Sequence, residues 1–239
     1  PSAMERTAEA VGLFYREALS LGAQRVVAAA TSAVRDASNR AEFLSLLKLK
    51  AGLPVRVLSG EEEARLSYRG VISGLDIEPD STVVVDVGGG STELIWMQAG
   101  RLHLVSVKAG AVRLTGAGGR CGPAATLGPA LVQVKRSKAG NLVGVGGTVT
   151  TLAAIDQKLV EYDPRLVHGY TLTAGRIKEI LSMLSSLDLA DRRRVPGLQP
   201  ERADIILAGV EIVLAVMEGL AVNRLVVSES DILMGLIQE

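Results

Sequence analysis

The sequence is poor in the residues that build disulfides and soft-metal sites. Its single cysteine, Cys121, excludes an intrachain disulfide and a cysteine-held metal cluster. A lone thiol fits a reducing compartment, so a cytoplasmic setting is expected. The two histidines, His103 and His168, are not spaced as metal ligands and no nucleophile stands beside either, so both read as structural. Trp96 is the sole tryptophan and reads as core. Neither sign of charge is in excess, with 26 basic and 26 acidic residues. That balance excludes a broadly basic nucleic-acid surface while allowing a local positive cleft. No apolar run approaches the ~20 residues of a membrane helix; the longest, residues 205–217, is interrupted by Glu211. No secretory signal opens the chain, which starts at Pro1.

Hydrophobic residues are plentiful, at 48% of 239, enough for one large domain or two modest ones with real cores. Apolar spacing predicts helices over 4–22, 39–51, 60–73, 149–158, 173–187, 203–219 and 231–237. Strands are predicted at 25–30, 55–58, 82–87, 92–97, 102–107, 142–145 and 225–227. Residues 31–36 read as a loop, and residues 116–140 carry no clear pattern. Asp204, Glu211 and Glu218 recur every seventh position, which reads as the solvent stripe of a mostly apolar helix. The order αβαβα, then a three-strand meander, then αβ units, predicts an α/β chain of two lobes, 1–79 and 80–239, joined near 76–81.

Two glycine loops stand out. In Val83-Val84-Val85-Asp86-Val87-Gly88-Gly89-Gly90-Ser91-Thr92-Glu93, a buried strand delivers Asp86, and the glycines let backbone N–H groups turn toward one space as an anion nest. Ser91 and Thr92 add hydroxyl donors, and Asp86 and Glu93 supply hard oxygens suited to Mg²⁺. The alternative is a tight hairpin turn. The second loop, Gly144-Val145-Gly146-Gly147-Thr148, leaves a strand and enters a helix whose first amides suit an anion; a plain βα turn is the alternative. Together the loops suggest two jaws around a phosphate chain. Neither carries the lysine of a Walker A loop, and Glu93 and Val149 stand where a dinucleotide fingerprint needs its third glycine.

A third feature is Ser59-Gly60-Glu61-Glu62-Glu63-Ala64. Ser59 and Glu62 fit a helix capping box, and Glu61 is placed to pair with Arg65 one turn on. Glu63 is left with no local partner. Arg35 follows a buried strand at a loop, where a surface arginine is the plain reading. Arg192-Arg193-Arg194 reads as a solvated turn.

These segments resemble the exopolyphosphatase and guanosine pentaphosphate phosphohydrolase family of the actin-like ATPase superfamily. The likeness runs through Thr31-Ser32-Ala33-Val34-Arg35, the Ser59–Ala64 run, and Asp86 to Glu93. It continues through Gly110-Ala111-Val112-Arg113-Leu114, Gly146-Gly147-Thr148, His168-Gly169-Tyr170, Arg202-Ala203-Asp204 and Val227-Ser228-Glu229. The resemblance implies two actin-like (ribonuclease H-like) lobes with a central cleft. The first lobe would be incomplete, since nothing here matches the family's opening Asp-x-Gly-Ser-Asn-Ser-type loop. It implies hydrolysis of terminal phosphoanhydride bonds with Mg²⁺, on polyphosphate or a guanosine polyphosphate. It casts Glu63 as the glutamate that orients water, Asp86 and Glu93 as holders of metal or water, and Arg35 as facing the substrate phosphates. The expected partner is that substrate, with no nucleic-acid polymer and no membrane; a homodimer is left open. A sensor that binds a phosphorylated ligand without turnover is the alternative from another class.

Overall fold

A computed structural model describes residues 2–116, 122–135 and 140–239; Cys121 lies outside them. The chain divides into two compact units, Pro1–Glu63 and Ala64–Glu239. The division falls inside a helix, upstream of the 76–81 segment, because Ala64, Tyr68 and Val71 already pack with Val84, Ile95, Val143 and Val145 of the second unit's sheet.

In the first unit, α1 (Ser2–Ser20) is followed by β1 (Ala28–Ala30), α2 (Ser32–Arg35), α3 (Arg40–Ala51), β2 (Val55–Val57) and the start of α4 (Gly60–Gly74). The strands pair in parallel, Ala28 with Val55 through Ala30 with Val57. Ala8, Leu47, Ala51, Leu53 and Leu58 are buried. Gly52, in the left-handed region at φ 68°, ends α3. The expected loop after the first strand holds one helical turn instead, with the Thr31 carbonyl accepting from the amides of Val34 and Arg35.

The second unit continues α4 and runs through β3 (Thr82–Val87), β4 (Thr92–Gln98), β5 (Arg101–Val107), α5 (Ala111–Gly116), α6 (Pro123–Lys135), β6 (Asn141–Val145) and α7 (Gly147–Asp156). It ends with α8 (Pro164–Val167), β7 (Thr171–Thr173), α9 (Ala174–Ser186), α10 (Leu189–Arg192), α11 (Ile206–Leu220), β8 (Arg224–Val227) and α12 (Ile232–Ile237). The sheet order is β5-β4-β3-β6-β8-β7. The predicted meander β3-β4-β5 is antiparallel, while β3, β6 and β8 run parallel. Their C-terminal ends therefore open at one edge, where α/β sheets place ligands.

Period-2 alternation sends Val83, Val85 and Val87 into a core with Leu127, Leu152, Ile177 and Val213, from α6, α7, α9 and α11. Val84 faces the α4 side. Glu211 and Glu218 are exposed on an otherwise largely buried α11, as the charge stripe predicts. The short helices α5, α8 and α10, the longer α6 and the strand β7 were not anticipated. The α6 helix buries Leu127, Ala130, Leu131 and Val134 at helical spacing, but Gly128 and Pro129 within it masked the pattern. The β7 strand has three residues and pairs only along β8. Arg192 is not a solvated turn residue either: its guanidinium donates to the carbonyls of Leu184, Leu187 and Ala203.

Candidate phosphate site

In the first unit the structure joins two candidate residues that stand 28 positions apart. Arg35 Nη1 donates to Glu63 Oε2 at 2.8 Å and to the Leu58 carbonyl at 3.0 Å. Both side chains are about one quarter exposed, 27% and 28%. Glu63 thus has a partner, though none on its own helix. The capping box forms as expected: the Ser59 amide donates to Glu62 Oε2 (2.9 Å) and the Glu62 amide to Ser59 Oγ (3.2 Å). Arg56 adds a 2.7 Å contact, and the Arg56 guanidinium and Ser59 together hold the Glu62 carboxyl down at about 2. The expected Glu61–Arg65 pair is replaced, because Arg65 reaches Glu239 at 2.7 Å.

In the second unit, Gly88, Gly89, Gly90 and Ser91 connect β3 to β4. The strand register sets Val87 opposite Thr92 and Asp86 opposite Glu93. The Gly88 amide closes the turn on the Ser91 carbonyl at 3.0 Å. Three successive loop carbonyls are held from one side. Gly88 O accepts from the Ala111 amide, Gly89 O from the Arg113 amide (both 3.0 Å), and Gly90 O from Arg113 Nε (2.7 Å). In a planar trans peptide the next residue's N–H points opposite to the carbonyl. The amides of Gly89, Gly90 and Ser91 are therefore turned away from α5, and Gly89 and Gly90 are exposed.

None of Gly88, Gly89 and Gly90 adopts the left-handed region, so the loop is not a nest of alternating hand. Close approach is a requirement on the glycine across from the loop. A Cβ on Gly110, opposite the loop, would lie 2.5 Å from backbone atoms of Gly89 and Gly90. Thr92 also departs from expectation. It is fully buried and its hydroxyl donates to the Ala109 carbonyl at 2.5 Å, so it anchors the loop and offers no donor outward.

The second loop lies beside the first. Gly146, at φ +88°, is the N-cap of α7, and a Cβ there would lie 2.8 Å from Asp86 Oδ1 and 3.3 Å from the Val87 carbonyl. Gly147 opens the helix. Thr148 turns its hydroxyl inward, 2.5 Å from where a Gly209 Cβ would sit, and is 5% exposed, so only its backbone amide remains for an anion. Asp86 and Glu93 share one face as a cross-strand pair, and Glu93 accepts from Ser106 Oγ at 2.6 Å. Two carboxylates directly opposite repel unless a cation lies between or near them.

Arg202 was missed as a site residue. A Cβ on Gly147 would lie 1.6 Å from Arg202 Nη1, so the guanidinium rests flat on the first residue of α7. Its Nε donates to Gln199 Oε1 at 2.8 Å. A cation at the positive end of a helix is unfavourable by itself and is relieved by a shared anion. Its motif likeness was the only signal available, since nothing local ties it to Gly147. Nearby, the Tyr162 hydroxyl donates to Glu229, and burial with that carboxylate pushes the phenol up. His168 is structural as expected: Nδ1 accepts from the Glu229 amide (3.1 Å), which leaves the proton on Nε2 for the Gly74 carbonyl (2.8 Å). His103 stacks on buried Trp96 with centroids 5.4 Å apart.

The oxygen-only pair Asp86 and Glu93 fits a hard divalent cation. Among the described residues no cluster of three or more His, Cys, Asp or Glu could hold a metal. The protein would supply two ligands and leave the rest to water and phosphate, which is how Mg²⁺ sits in phosphate sites. Among the described residues no helix is long and apolar enough to cross a membrane.

Comparison with known proteins gives a consistent result. The model of the Ppx/GppA phosphatase family matches residues 1–238. Exopolyphosphatase 2 of Mycobacterium tuberculosis is 34% identical, across 99% of this chain and 81% of that protein. The bifunctional 3-dehydroquinate synthase/phosphatase of Fusobacterium nucleatum is 29% identical, across 99% of this chain and 38% of its own length. The Aquifex aeolicus Ppx/GppA phosphatase superposes with a TM-score of 0.82 at 33% identity, across 98% of this chain and 81% of that one.

Proposed function

Because the chain belongs to the Ppx/GppA phosphatase family, whose members are phosphoanhydride hydrolases of the actin-like fold, we propose that it removes terminal phosphates from inorganic polyphosphate and releases orthophosphate. The observation that carries this reading is the Gly88–Ser91 loop, with three carbonyls tied back to residues 111–113 and three amides turned outward. Such fixed amides need no reorganisation as charge builds on the transferring phosphoryl group, and positioning with charge stabilisation is most of what this chemistry needs.

In this reading the loop amides, the α7 amides of Gly147 and Thr148, and Arg202 bind phosphate oxygens. Glu63 accepts a hydrogen bond from the attacking water and sets it in line with the leaving oxygen. Arg35 fixes the Glu63 rotamer through Nη1, and its guanidinium fork has further donors for phosphate. Asp86 and Glu93 would hold Mg²⁺, which when bound neutralises charge on the phosphate oxygens. Water adds to the terminal phosphorus, the anhydride P–O bond breaks, and the shortened chain leaves with the bond's electron pair.

Polyphosphate is preferred over guanosine pentaphosphate because polyphosphate is the substrate that the name of the Mycobacterium relative states, and the sequence offers no evident base-recognition motif. The test is orthophosphate release by the purified protein with Mg²⁺, on each substrate alone and in competition. Release from polyphosphate is expected. Release from guanosine pentaphosphate alone would transfer the assignment to the nucleotide. Tight binding with no release from either would identify a sensor.

A further inference from the structure

The outward direction of the loop amides has a cause in the fold, and it converges on one side chain. Of the three loop carbonyls tied back, two are held by Arg113, one by its amide and one by its Nε. The amide bond would survive almost any substitution. The Nε bond would not. Gly90 O is the last carbonyl before Ser91, so the peptide that Arg113 Nε grips is the one whose N–H belongs to Ser91. A cationic donor on a peptide oxygen polarises that peptide and makes its N–H a stronger donor. The guanidinium therefore does two things at once: it sets the plane of the Gly90–Ser91 peptide and sharpens its outward amide.

The surroundings are arranged for this contact. Gly110 admits the loop to within a distance that a Cβ would forbid, 2.5 Å from Gly89 C, Gly89 O and Gly90 C. Thr92 Oγ1 binds the Ala109 carbonyl and so ties β4 to the segment that carries Arg113. Ala111 is buried, which fixes the start of α5, while Arg113 itself is exposed. An exposed arginine whose Nε is spent on a backbone carbonyl of the loop has little to contribute to the core. Arg113 Nη2 also lies on the Gly90 side, 3.9 Å from where a Cβ of that residue would stand.

We propose that Arg113 is a positioning residue for phosphate binding: through the Gly90 carbonyl it orients and polarises the Ser91 amide, without touching the substrate. The proposal rests on the reading of residues 88–91 as the phosphate loop. Arg113→Gln places its amide nitrogen at the same number of bonds from Cβ as Nε, so it retains a neutral donor. Arg113→Ala retains none.

The experiment compares wild type, Arg113→Gln and Arg113→Ala in three measurements. These are binding of tripolyphosphate with Mg²⁺ by calorimetry, melting temperature without ligand, and hydrogen exchange of the amides of residues 89–91 without ligand. Arg113→Ala is expected to weaken tripolyphosphate binding roughly tenfold, the scale of one charged hydrogen bond, and to slow exchange at Ser91, whose outward amide is less acidic without the cation on the Gly90 carbonyl. Its ligand-free melting temperature should stay close to wild type. Arg113→Gln, which keeps a neutral donor, should recover part of the exchange rate and part of the affinity. Equal affinity and exchange in all three proteins would overturn the proposal. So would Arg113→Gln binding as weakly as Arg113→Ala while its exchange is normal, since that marks a direct charge contact with the ligand. A melting temperature that falls in step with affinity would mark a merely structural residue. If wild type neither binds nor hydrolyses polyphosphate, the phosphate-loop reading fails, and the exchange data still report whether Arg113 sets the Ser91 peptide.

Discussion

Replacing Glu63 by glutamine separates catalysis from stability in a way the structure allows to be sized. The Arg35–Glu63 contact is 2.8 Å long and its side chains are only about one quarter exposed, 27% and 28%. Glutamine keeps an acceptor oxygen at the same place, so Arg35 loses a charged acceptor and gains a neutral one. The difference between charged and neutral hydrogen bonds is about 1 kcal/mol, and for a chain of this size that lowers Tm by roughly 2–4 °C. If Glu63 positions water, turnover falls by roughly 10²–10⁴, or ~2.7–5.4 kcal/mol on the barrier. Lost stability of about 1 kcal/mol leaves nearly all molecules folded at 25 °C and cannot imitate that fall. The assay is steady-state orthophosphate release with thermal unfolding on the same preparations. Glu61→Gln and Glu62→Gln serve as neighbours on the same turn. Glu62 is committed to Ser59 and Arg56, so its replacement should lower Tm and spare turnover. An active Glu63→Gln beside an inactive Glu62→Gln would refute the reasoning, and so would normal turnover in all three.

Gly147→Ala is expected to cost little stability, because the obstructed atoms are the end of the flexible Arg202 side chain. It should nonetheless weaken tripolyphosphate binding about as much as Arg202→Ala does, and calorimetry with the double variant should show the two effects not adding. Asp86→Asn should raise the Mg²⁺ concentration needed for half-maximal turnover at least several-fold. In wild type, chelation should abolish turnover and added Mg²⁺ restore it; full activity in excess chelator would refute the metal assignment. Tyr68 donates to the Pro79 carbonyl at 2.7 Å, and burial, with the Asp80 carboxylate adding to it, pushes its phenol from 10.0 up to about 12. A raised folded-state value means that this contribution is complete below pH 10 and is lost as pH rises through 12. Tyr68→Phe should therefore lose about 1 kcal/mol at neutral pH and show a flatter alkaline limb in melts between pH 10 and 12.

Much of this protein was determined by local sequence. The alternating and β-branched runs of residues 82–107 settle a meander by themselves, because strand period and tight turns are short-range properties. Ser59 and Glu62 settle the start of α4 for the same reason, since a capping box closes within one turn. The two strand-then-glycine loops are legible as pairs of chain reversals at strand ends. By contrast, α6 stayed hidden because glycine and proline lower helix propensity, and only burial of Leu127, Leu131 and Val134 against α11 and its neighbours overrides that penalty. Which donors of a loop face outward was also beyond the sequence. Thr92 and Thr148 look like phosphate-binding hydroxyls until packing turns both inward, onto Ala109 and toward Gly209. Arg35 finds Glu63, Arg202 finds Gly147, and Arg113 finds Gly90 across separations that no local pattern encodes. Local sequence chose the elements and the places where the chain bends. Tertiary packing decided which polar groups were used up in holding those bends and which were left to meet a phosphate.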